Sequence, residues 1–390
     1  MIYLDNNATT RIDDEVLNTM LPYLKNEYGN ASSLHHKLGR TAHQAIEKSR
    51  KNIANFLNVQ PKEIYFTSGS TEAISTAIKG VYERYAQLGN HIITTQTEHK
   101  AVLSACESIE KKGANITYLP VDTDGNISLT DLKKAITKET ILICIMSANN
   151  ETGVVNPIES IAQICKNNNI IFFCDTTQSI GKQKIDLSKI PIDIVCLSAH
   201  KFHGPKGVGA LFIRRKSSPI QIEPLIIGGQ QENGFRAGTY NVAGIVGLGK
   251  AIEIIDLSQK STIGELRDYF EQRIVAEIED CIVIAKNSSR IPNTSNILFK
   301  HVNSNELLAK INNIAISSGS ACISSSRTPS HVLKAMQFND DEALSCVRIS
   351  LSKYTTKSDI ENAILELKTT INTIRSNSPI WQMYKNGLLN

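Results

Sequence analysis

A lysine at position 201 is the residue most suited to covalent chemistry. It follows the apolar run IDIVCLSA (192–199) and precedes the glycines of GPKGVG (204–209). An amine at the mouth of a sheet, in a partly apolar pocket, can lose its proton and form a Schiff base with an aldehyde. The same stretch also fits a glycine-rich hairpin with an exposed lysine, so Lys201 alone leaves both interpretations open.

Two further polar features stand at the ends of other predicted strands. Asp175 closes the apolar run IIFFCD (170–175), and TSGST (67–71) precedes a helical stretch. Ligands of open α/β sheets bind at the carboxyl ends of strands. Helix N–H groups, with the hydroxyls of Ser70 and Thr71, can bind a phosphate. The alternatives are ordinary ones, since Asp, Ser and Thr also cap helices.

The three features together predict one cofactor. Pyridoxal phosphate needs a Schiff-base lysine, a carboxylate against its pyridine nitrogen and a cradle for its phosphate. The carboxylate keeps the ring nitrogen protonated, and such a charge-assisted hydrogen bond contributes roughly 1.5–3 kcal/mol. We therefore expect Lys201, Asp175 and the 67–71 turn to bind pyridoxal 5'-phosphate.

A single cysteine has surroundings unlike those of the others. Cys322 lies in ISSGSACISSS (316–326), whereas most of the other cysteines lie inside apolar runs. Small residues are typical of a mobile surface loop. A thiol on such a loop could enter an active site and leave carrying cargo. The alternative is an incidental exposed cysteine.

Short apolar runs and helical patterns alternate through the first two thirds of the chain. The runs at 64–69, 91–96, 115–121, 140–148, 170–176 and 192–199 predict strands covered on both faces. Strand and helix in alternation favour an α/β fold with a parallel sheet. The pattern changes after about residue 255, which predicts a large domain over 15–255 and a smaller α+β domain over 256–390. Residues 1–14 fit either domain, and we group them with the smaller one.

Composition excludes several classes of protein. The chain has 390 residues and a formal net charge of +4, too weak to predict direct nucleic-acid binding. No run is long and apolar enough for a membrane span, and the start MIYLDNNATT does not read as a secretory signal. The eight cysteines form no CxxC pair, so we expect no metal site. Unpaired cysteines fit the cytoplasm best.

Motifs along nearly the whole chain carry a family resemblance. The chain resembles the class I cysteine desulfurases (NifS/IscS type), which are fold-type I pyridoxal-phosphate enzymes of the class V aminotransferase family. The resemblance implies a mostly parallel seven-stranded sheet in the large domain, and a homodimer. The matching segments are YLDNNATT (3–10), GNASSLH (29–35), TSGSTEA (67–73), TEHKAV (97–102), NNETGVV (149–155), DTTQSIGK (175–182), SAHKFHGPKGVGAL (198–211), RAGTYN (236–241), SSGSACIS (317–324) and VRISLSKYTT (347–356).

The resemblance also implies a role for each site residue. Lys201 would be the Schiff-base lysine, Asp175 the partner of the pyridine nitrogen, and Cys322 the sulfur acceptor. The others would surround the cofactor and substrate: Gln178 on the ring hydroxyl, His99 stacked on the ring and active in catalysis, Ser70, Thr71, Ser198 and His200 on the phosphate, Thr239 of the neighbouring subunit also on the phosphate, and Asn150 and Arg348 on the substrate, with Asn150 also touching the cofactor.

The implied reaction removes sulfur from L-cysteine and gives L-alanine. The sulfur would remain as a persulfide on Cys322 and pass to acceptor proteins of iron–sulfur cluster assembly or thio-modification. One alternative is another pyridoxal-phosphate lyase or aminotransferase of the same fold, which would have no use for Cys322. A second is a non-catalytic scaffold subunit, and the presence of Lys201, Asp175, Cys322 and Arg348 argues against it.

Overall fold

The computed structural model describes residues 1–216, 219–318 and 328–388. The strands are β1 (Ile2–Tyr3), β2 (Ile64–Thr67), β3 (His91–Thr95), β4 (Asn115–Leu119), β5 (Thr140–Cys144), β6 (Ile171–Asp175), β7 (Ile194–Ser198), β8 (Gly209–Ile213), β9 (Cys281–Val283), β10 (Thr294–Phe299), β11 (Ile314–Ala315), β12 (Ser317–Ser318) and β13 (Cys346–Ser350). The helices are α1 (Asp14–Lys25), α2 (Lys37–Leu57), α3 (Ser70–Tyr85), α4 (Lys100–Glu110), α5 (Leu129–Ala135), α6 (Ile158–Asn167), α7 (Val242–Glu253), α8 (Lys260–Glu277), α9 (Ser304–Lys310), α10 (His331–Ala335), α11 (Asp340–Leu344), α12 (Lys357–Ser376) and α13 (Pro379–Lys385).

The largest sheet has seven strands in the order β2-β8-β7-β6-β5-β3-β4. Strand β8 is antiparallel to both of its neighbours, β2 and β7. All four pairings from β7 across to β4 are parallel. The predicted α/β architecture and mostly parallel sheet are confirmed. Each apolar run predicted as a strand contains one. Strands β3, β5, β6 and β7 are buried on both faces. The prediction of burial on both faces is wrong for β4, which lies at the edge of the sheet and has only Leu119 buried.

Consecutive residues of β6 show how the sheet is buried. Phe172 packs on one face with residues of α2, α6 and α7, while Phe173 packs on the other with α3 and α4. Both side chains are fully buried. A strand enclosed in this way needs apolar side chains at every position, and this explains the unbroken run IFFC.

The C-terminal part forms a second, antiparallel sheet in the order β12-β13-β10-β9. Strand β1 pairs with β11, and Leu4 packs in the same core as Phe270, Ile297 and Val347. This packing supports grouping residues 1–14 with residues 256–390, and the domain limits themselves remain a prediction. No helix in the parts of the chain described here has the length and apolar character to cross a membrane.

Candidate active site

A cavity lined by Ser70, Thr71, Ser198 and His200, called here the anion cradle, lies where β2 and β7 end and β8 begins. Gly209, the first residue of β8, pairs with Thr67 on one side and Ser198 on the other. A Cβ at Gly209 would lie 2.8 Å from the Cα of Gly69, so a larger residue would push the turn before α3 away. Gly69 itself has a φ of 152°, a conformation that favours glycine. Two glycines therefore bring the 67–71 turn against Ser198.

The first turn of α3 offers open hydrogen-bond donors. Gly69 is its N-cap and supplies no side chain to the helix N–H groups. Ser70, Thr71, Ser198 and His200 line one cavity in front of these groups. Such a cluster of N–H groups and hydroxyls is suited to an anion. The structure thus brings together the four residues predicted to bind phosphate within one subunit.

His200 contributes to this cavity as a neutral ring. Burial, with the nearby amines of Lys201 and Lys206, lowers the pKa of His200 to about 4. Its Nδ1 lies 3.1 Å from the hydroxyl oxygen of Thr9. At neutral pH the imidazole therefore offers hydrogen bonds to an anion rather than a positive charge.

Lys201 ends a single 3₁₀ turn (Ala199–Lys201) that follows β7 directly. Its Nζ donates hydrogen bonds to the carbonyl oxygens of Asn7, at 2.7 Å, and Ala8, at 2.9 Å. The glycine-rich segment does connect β7 and β8 as an antiparallel hairpin, but the Lys201 side chain is partly buried, so the alternative of an exposed lysine is wrong. Besides burial, the positive charge of Lys201 helps to lower the pKa of His200, so the amine lies near the anion cradle.

Asp175 is the last residue of β6 and is only 6% exposed. Its Oδ1 accepts from the backbone N–H of Thr177 at 2.9 Å and from the thiol of Cys196 at 3.3 Å. Both side-chain bonds from the described residues end on Oδ1, which leaves Oδ2 for another donor. Residues 176–193 contain no helix, so the alternative of a helix cap is wrong.

His99 caps α4, and its Nδ1 accepts the backbone N–H of Ala101 at 3.1 Å. Burial lowers the pKa of His99. Asp175 opposes that shift, and Lys201 adds to it, so both groups lie within electrostatic reach of the ring. A neutral ring that accepts at Nδ1 carries its proton on Nε2. The structure therefore places a neutral imidazole near Asp175 and Lys201.

Glu98 lies fully buried beside this group, a feature the sequence reasoning missed. Burial, together with the nearby carboxylate of Asp175, raises the pKa of Glu98 to about 8. Its Oε1 accepts the backbone N–H of Met146 at 2.7 Å. Glu98 is therefore mostly protonated at neutral pH.

Arg348 and Asn150, the two predicted substrate-binding residues, meet directly. Arg348 Nη1 donates to the carbonyl oxygen of Asn150 at 3.0 Å, and Nη2 pairs with Asp5 Oδ1 at 2.7 Å. Arg348 is 3% exposed, and its Nε has no hydrogen-bond partner among the described residues. The guanidinium is thus held in place at the site by Asp5, a partner that the sequence reasoning missed.

Asn7 joins these groups to one another and was also missed. Its carbonyl oxygen accepts from Lys201 and, at 3.0 Å, from Nε2 of Gln178. Its side-chain Nδ2 donates to the Thr294 hydroxyl at 2.8 Å and to the Asn150 carbonyl at 3.1 Å. The motif YLDNNATT was the only signal in the sequence, and it gave no role to Asn7.

Two predicted residues remain, Thr239 and Cys322. Thr239 is exposed and lines a neighbouring cavity, which shares Ser68 and Gly207 with the anion cradle. Its contact with the phosphate of a neighbouring subunit stays a prediction. Cys322 lies outside the described residues, so its place relative to Lys201 stays a prediction.

Comparison with known families matches most of the chain. The model of the aminotransferase class-V family matches residues 2–363. A cysteine desulfurase IscS from Dictyoglomus turgidum is 45% identical over 98% of this chain and 98% of that protein. A cysteine desulfurase IscS from Ruthia magnifica subsp. Calyptogena magnifica is 42% identical over 99% of this chain and 96% of that protein.

A solved structure also matches nearly the whole chain. A NifS-like protein superposes with a TM-score of 0.88 at 37% identity, over 95% of this chain and 99% of that one. The sheet edge, the lysine and the anion cradle thus belong to a pyridoxal-phosphate-dependent class of enzymes. The chain is a member of the aminotransferase class-V family.

Proposed function

We propose that this chain is a cysteine desulfurase that takes sulfur from L-cysteine, releases L-alanine and holds the sulfur on Cys322. The meeting of Lys201, Asp175 and the anion cradle at one sheet edge carries the proposal. It is supported by desulfurase relatives that share 42–45% of their residues with nearly the whole chain.

The residues of the edge fit pyridoxal phosphate. The uncapped N–H groups of α3, with Ser70, Thr71, Ser198 and His200, suit a phosphate. The available Oδ2 of Asp175 suits a protonated pyridine nitrogen, and Lys201 is the amine for the aldehyde. When bound, the cofactor supplies a ring that withdraws electrons from the substrate Cα.

The protein's own groups would then orient the substrate and move its protons. Arg348 would bind the substrate carboxylate through its planar fork, beside Asn150. Lys201 would take the proton from Cα, because its amine lies at the centre of the edge. His99 would lie against the ring and keep a proton on Nε2 for a nearby acceptor.

Sulfur transfer would be the task of Cys322. Its thiolate would attack the substrate sulfur, and the C–S bonding electrons would stay with the carbon fragment, which takes up a proton and leaves as alanine. Only a thiolate is nucleophilic enough for this attack. The small-residue segment around Cys322 supports this part of the proposal from the sequence alone.

The test measures products from L-cysteine in the presence of pyridoxal phosphate and a thiol reductant. The protein should be yellow and release alanine and sulfide in equal amounts. Lys201→Ala should lose the colour and the activity. An aminotransferase would instead form a keto acid, and a non-catalytic scaffold would form neither product.

Cysteine variants test the acceptor. Cys322→Ser should stay yellow and release no sulfide, whereas Cys281→Ser, at a partly exposed cysteine, should behave like the wild type. Unchanged sulfide release by Cys322→Ser would overturn the assignment of the acceptor while leaving the cofactor site intact.

Three further parts of the proposal concern the protein's surroundings. We expect a cytoplasmic homodimer in which Thr239 of one subunit reaches the phosphate of the other. We also expect acceptor proteins of iron–sulfur cluster assembly or thio-modification. Sedimentation of the purified protein tests the dimer, and transfer of labelled sulfur to a purified acceptor tests the partner.

A further inference from the structure

Lys182 lies in the turn region after β6 and contacts two residues of the site, Gln178 and Asn7. Its Nζ donates to Oε1 of Gln178 at 2.7 Å and lies 3.4 Å from Oδ1 of Asn7. The side chain is only partly exposed. Its hydrogen-bonding partners are thus amide oxygens that belong to residues of the site.

The position is electrostatically unfavourable for an amine. Burial lowers the pKa of Lys182 well below its usual range, and the positive charges of Lys201 and Arg348 lower it further. No carboxylate of the described residues forms an ion pair with Lys182. A buried amine near two other cations is not expected to stabilise the fold, so another role must account for it.

The amide of Gln178 shows what that role can be. A glutamine amide presents an oxygen on one side and an NH₂ on the other, and Nζ of Lys182 donates to the oxygen at 2.7 Å. Because Lys182 donates to Oε1, the NH₂ group must face the opposite side. There Nε2 donates to the carbonyl oxygen of Asn7 at 3.0 Å, the same oxygen that accepts from Lys201 at 2.7 Å.

We propose that Lys182 is a positioning residue, which holds the amide of Gln178 so that its NH₂ group faces Lys201 and the cofactor ring. This inference rests on the proposed function, since it assigns the orientation of a donor toward pyridoxal phosphate. Without Lys182 only the bond from Nε2 to the Asn7 carbonyl holds the amide, so its NH₂ group is directed less firmly toward the ring hydroxyl.

The test compares Lys182→Met with the wild type and with Lys184→Met, an exposed lysine two residues further on. Two properties are measured: the dissociation constant for pyridoxal phosphate, and the wavelength of the visible absorption band of the bound cofactor. Loss of one oriented hydrogen bond should weaken binding roughly five- to tenfold and shift the band. Lys184→Met should change neither property, and Lys182→Arg, which keeps the donors, should restore much of the affinity.

A double-mutant cycle separates positioning from a general structural role. In a Gln178→Ala background, Lys182→Met should cause no further loss of affinity, because the amide it orients is absent. An equal loss in both backgrounds, or a Lys182→Met protein with unchanged affinity and spectrum, would overturn the inference. Lys182→Ala is a second variant, read by the same two measurements, should the first fail to fold.

The outcomes also separate this inference from the proposed function. A wild-type protein that binds no pyridoxal phosphate would refute the proposed function. A wild-type protein that binds it, with variants at position 182 indistinguishable from it, would refute only the role of Lys182.

Discussion

Two regions build the candidate site in different ways. The carboxyl edge of the large sheet supplies Asp175, Ser198 and Lys201, each at or just after the end of an apolar strand. The segment Asp5–Ala8 instead follows β1, which pairs with β11 outside the large sheet. It reaches the site through bonds to residues as far away as Arg348, 343 positions along the chain from Asp5.

This difference separates two kinds of contribution. The sheet edge carries the groups suited to a cofactor, and burial of the sheet holds them. The Asp5–Ala8 segment ties those groups to one another and to Arg348 on the substrate side. Substitutions at the edge should therefore impair chemistry in a folded protein, whereas substitutions in the segment should also lower stability.

The largest expected effect follows loss of Asp5. Asp5→Ala leaves the guanidinium of Arg348, which is 3% exposed, without its carboxylate. Breaking a buried pair from one side should lower the free energy of unfolding by about 3 kcal/mol and raise the KM for L-cysteine. Denaturant unfolding and steady-state kinetics measure both. Asp14→Ala breaks the exposed pair with Arg11 and should change stability by at most about 1 kcal/mol.

Asp175→Asn should leave the fold intact and slow the chemistry. A neutral amide cannot hold a protonated ring nitrogen by a charge-assisted bond, whose contribution of about 1.5–3 kcal/mol corresponds to a roughly 10- to 150-fold fall in kcat. Turnover and bound cofactor are measured on the same sample. A variant that keeps the wild-type kcat would contradict the role of Asp175, and Asp131→Asn at an exposed position serves as control.

Asn7→Ala keeps the backbone oxygen but removes the side chain that links the two regions. Thr294, Asn293 and the Asn150 carbonyl would each lose a buried partner. The free energy of unfolding should fall by about 2 kcal/mol. Thermal unfolding tests this, with the exposed Asn305→Ala as control. If Asn7→Ala and Asn305→Ala are equally stable, the sheet edge keeps its geometry without the side chain of Asn7.

The smallest effect concerns Glu98, at the edge. Its folded pKa of about 8 exceeds the ordinary value of 4.5, so the folded state binds a proton that the unfolded state lacks between these pH values. Wild-type stability therefore loses a contribution as the pH rises through that window. Glu98→Gln should gain about 1.3 kcal/mol over the wild type at pH 7 relative to pH 6. A gain that does not change with pH would contradict a protonated Glu98.

The position of polar residues at the sheet edge could be predicted because the sequence patterns that mark a strand and its end are local. An unbroken apolar run predicts a covered strand, and the polar residue that follows must lie at the carboxyl end. Lys201, Asp175 and the 67–71 turn were all found in this way. The assignments of Gln178, His99, Asn150 and Arg348 instead came from family resemblance, since no periodicity marks them.

The contacts of Asp5, Asn7 and Lys182 could not be predicted from local patterns. The contacts of Asp5 and Asn7 depend on a tertiary approach between distant segments. Lys182 contacts Gln178, only four residues away, but the letters GK look like ordinary turn and surface residues and give no sign that the amine is turned inward. The buried state of Glu98 was missed for a related reason, because a charged residue next to a histidine carries no sign that burial will keep it protonated.

The pairing of Asp5 with Arg348 also has a consequence for the order of assembly. The strands of the large sheet are all translated by residue 213, yet Arg348 follows 135 residues later. Contacts across such a long span form late, because a large loop must close first. A nascent chain released before position 348 should therefore hold all seven strands of the large sheet while Asp5 still lacks its partner Arg348.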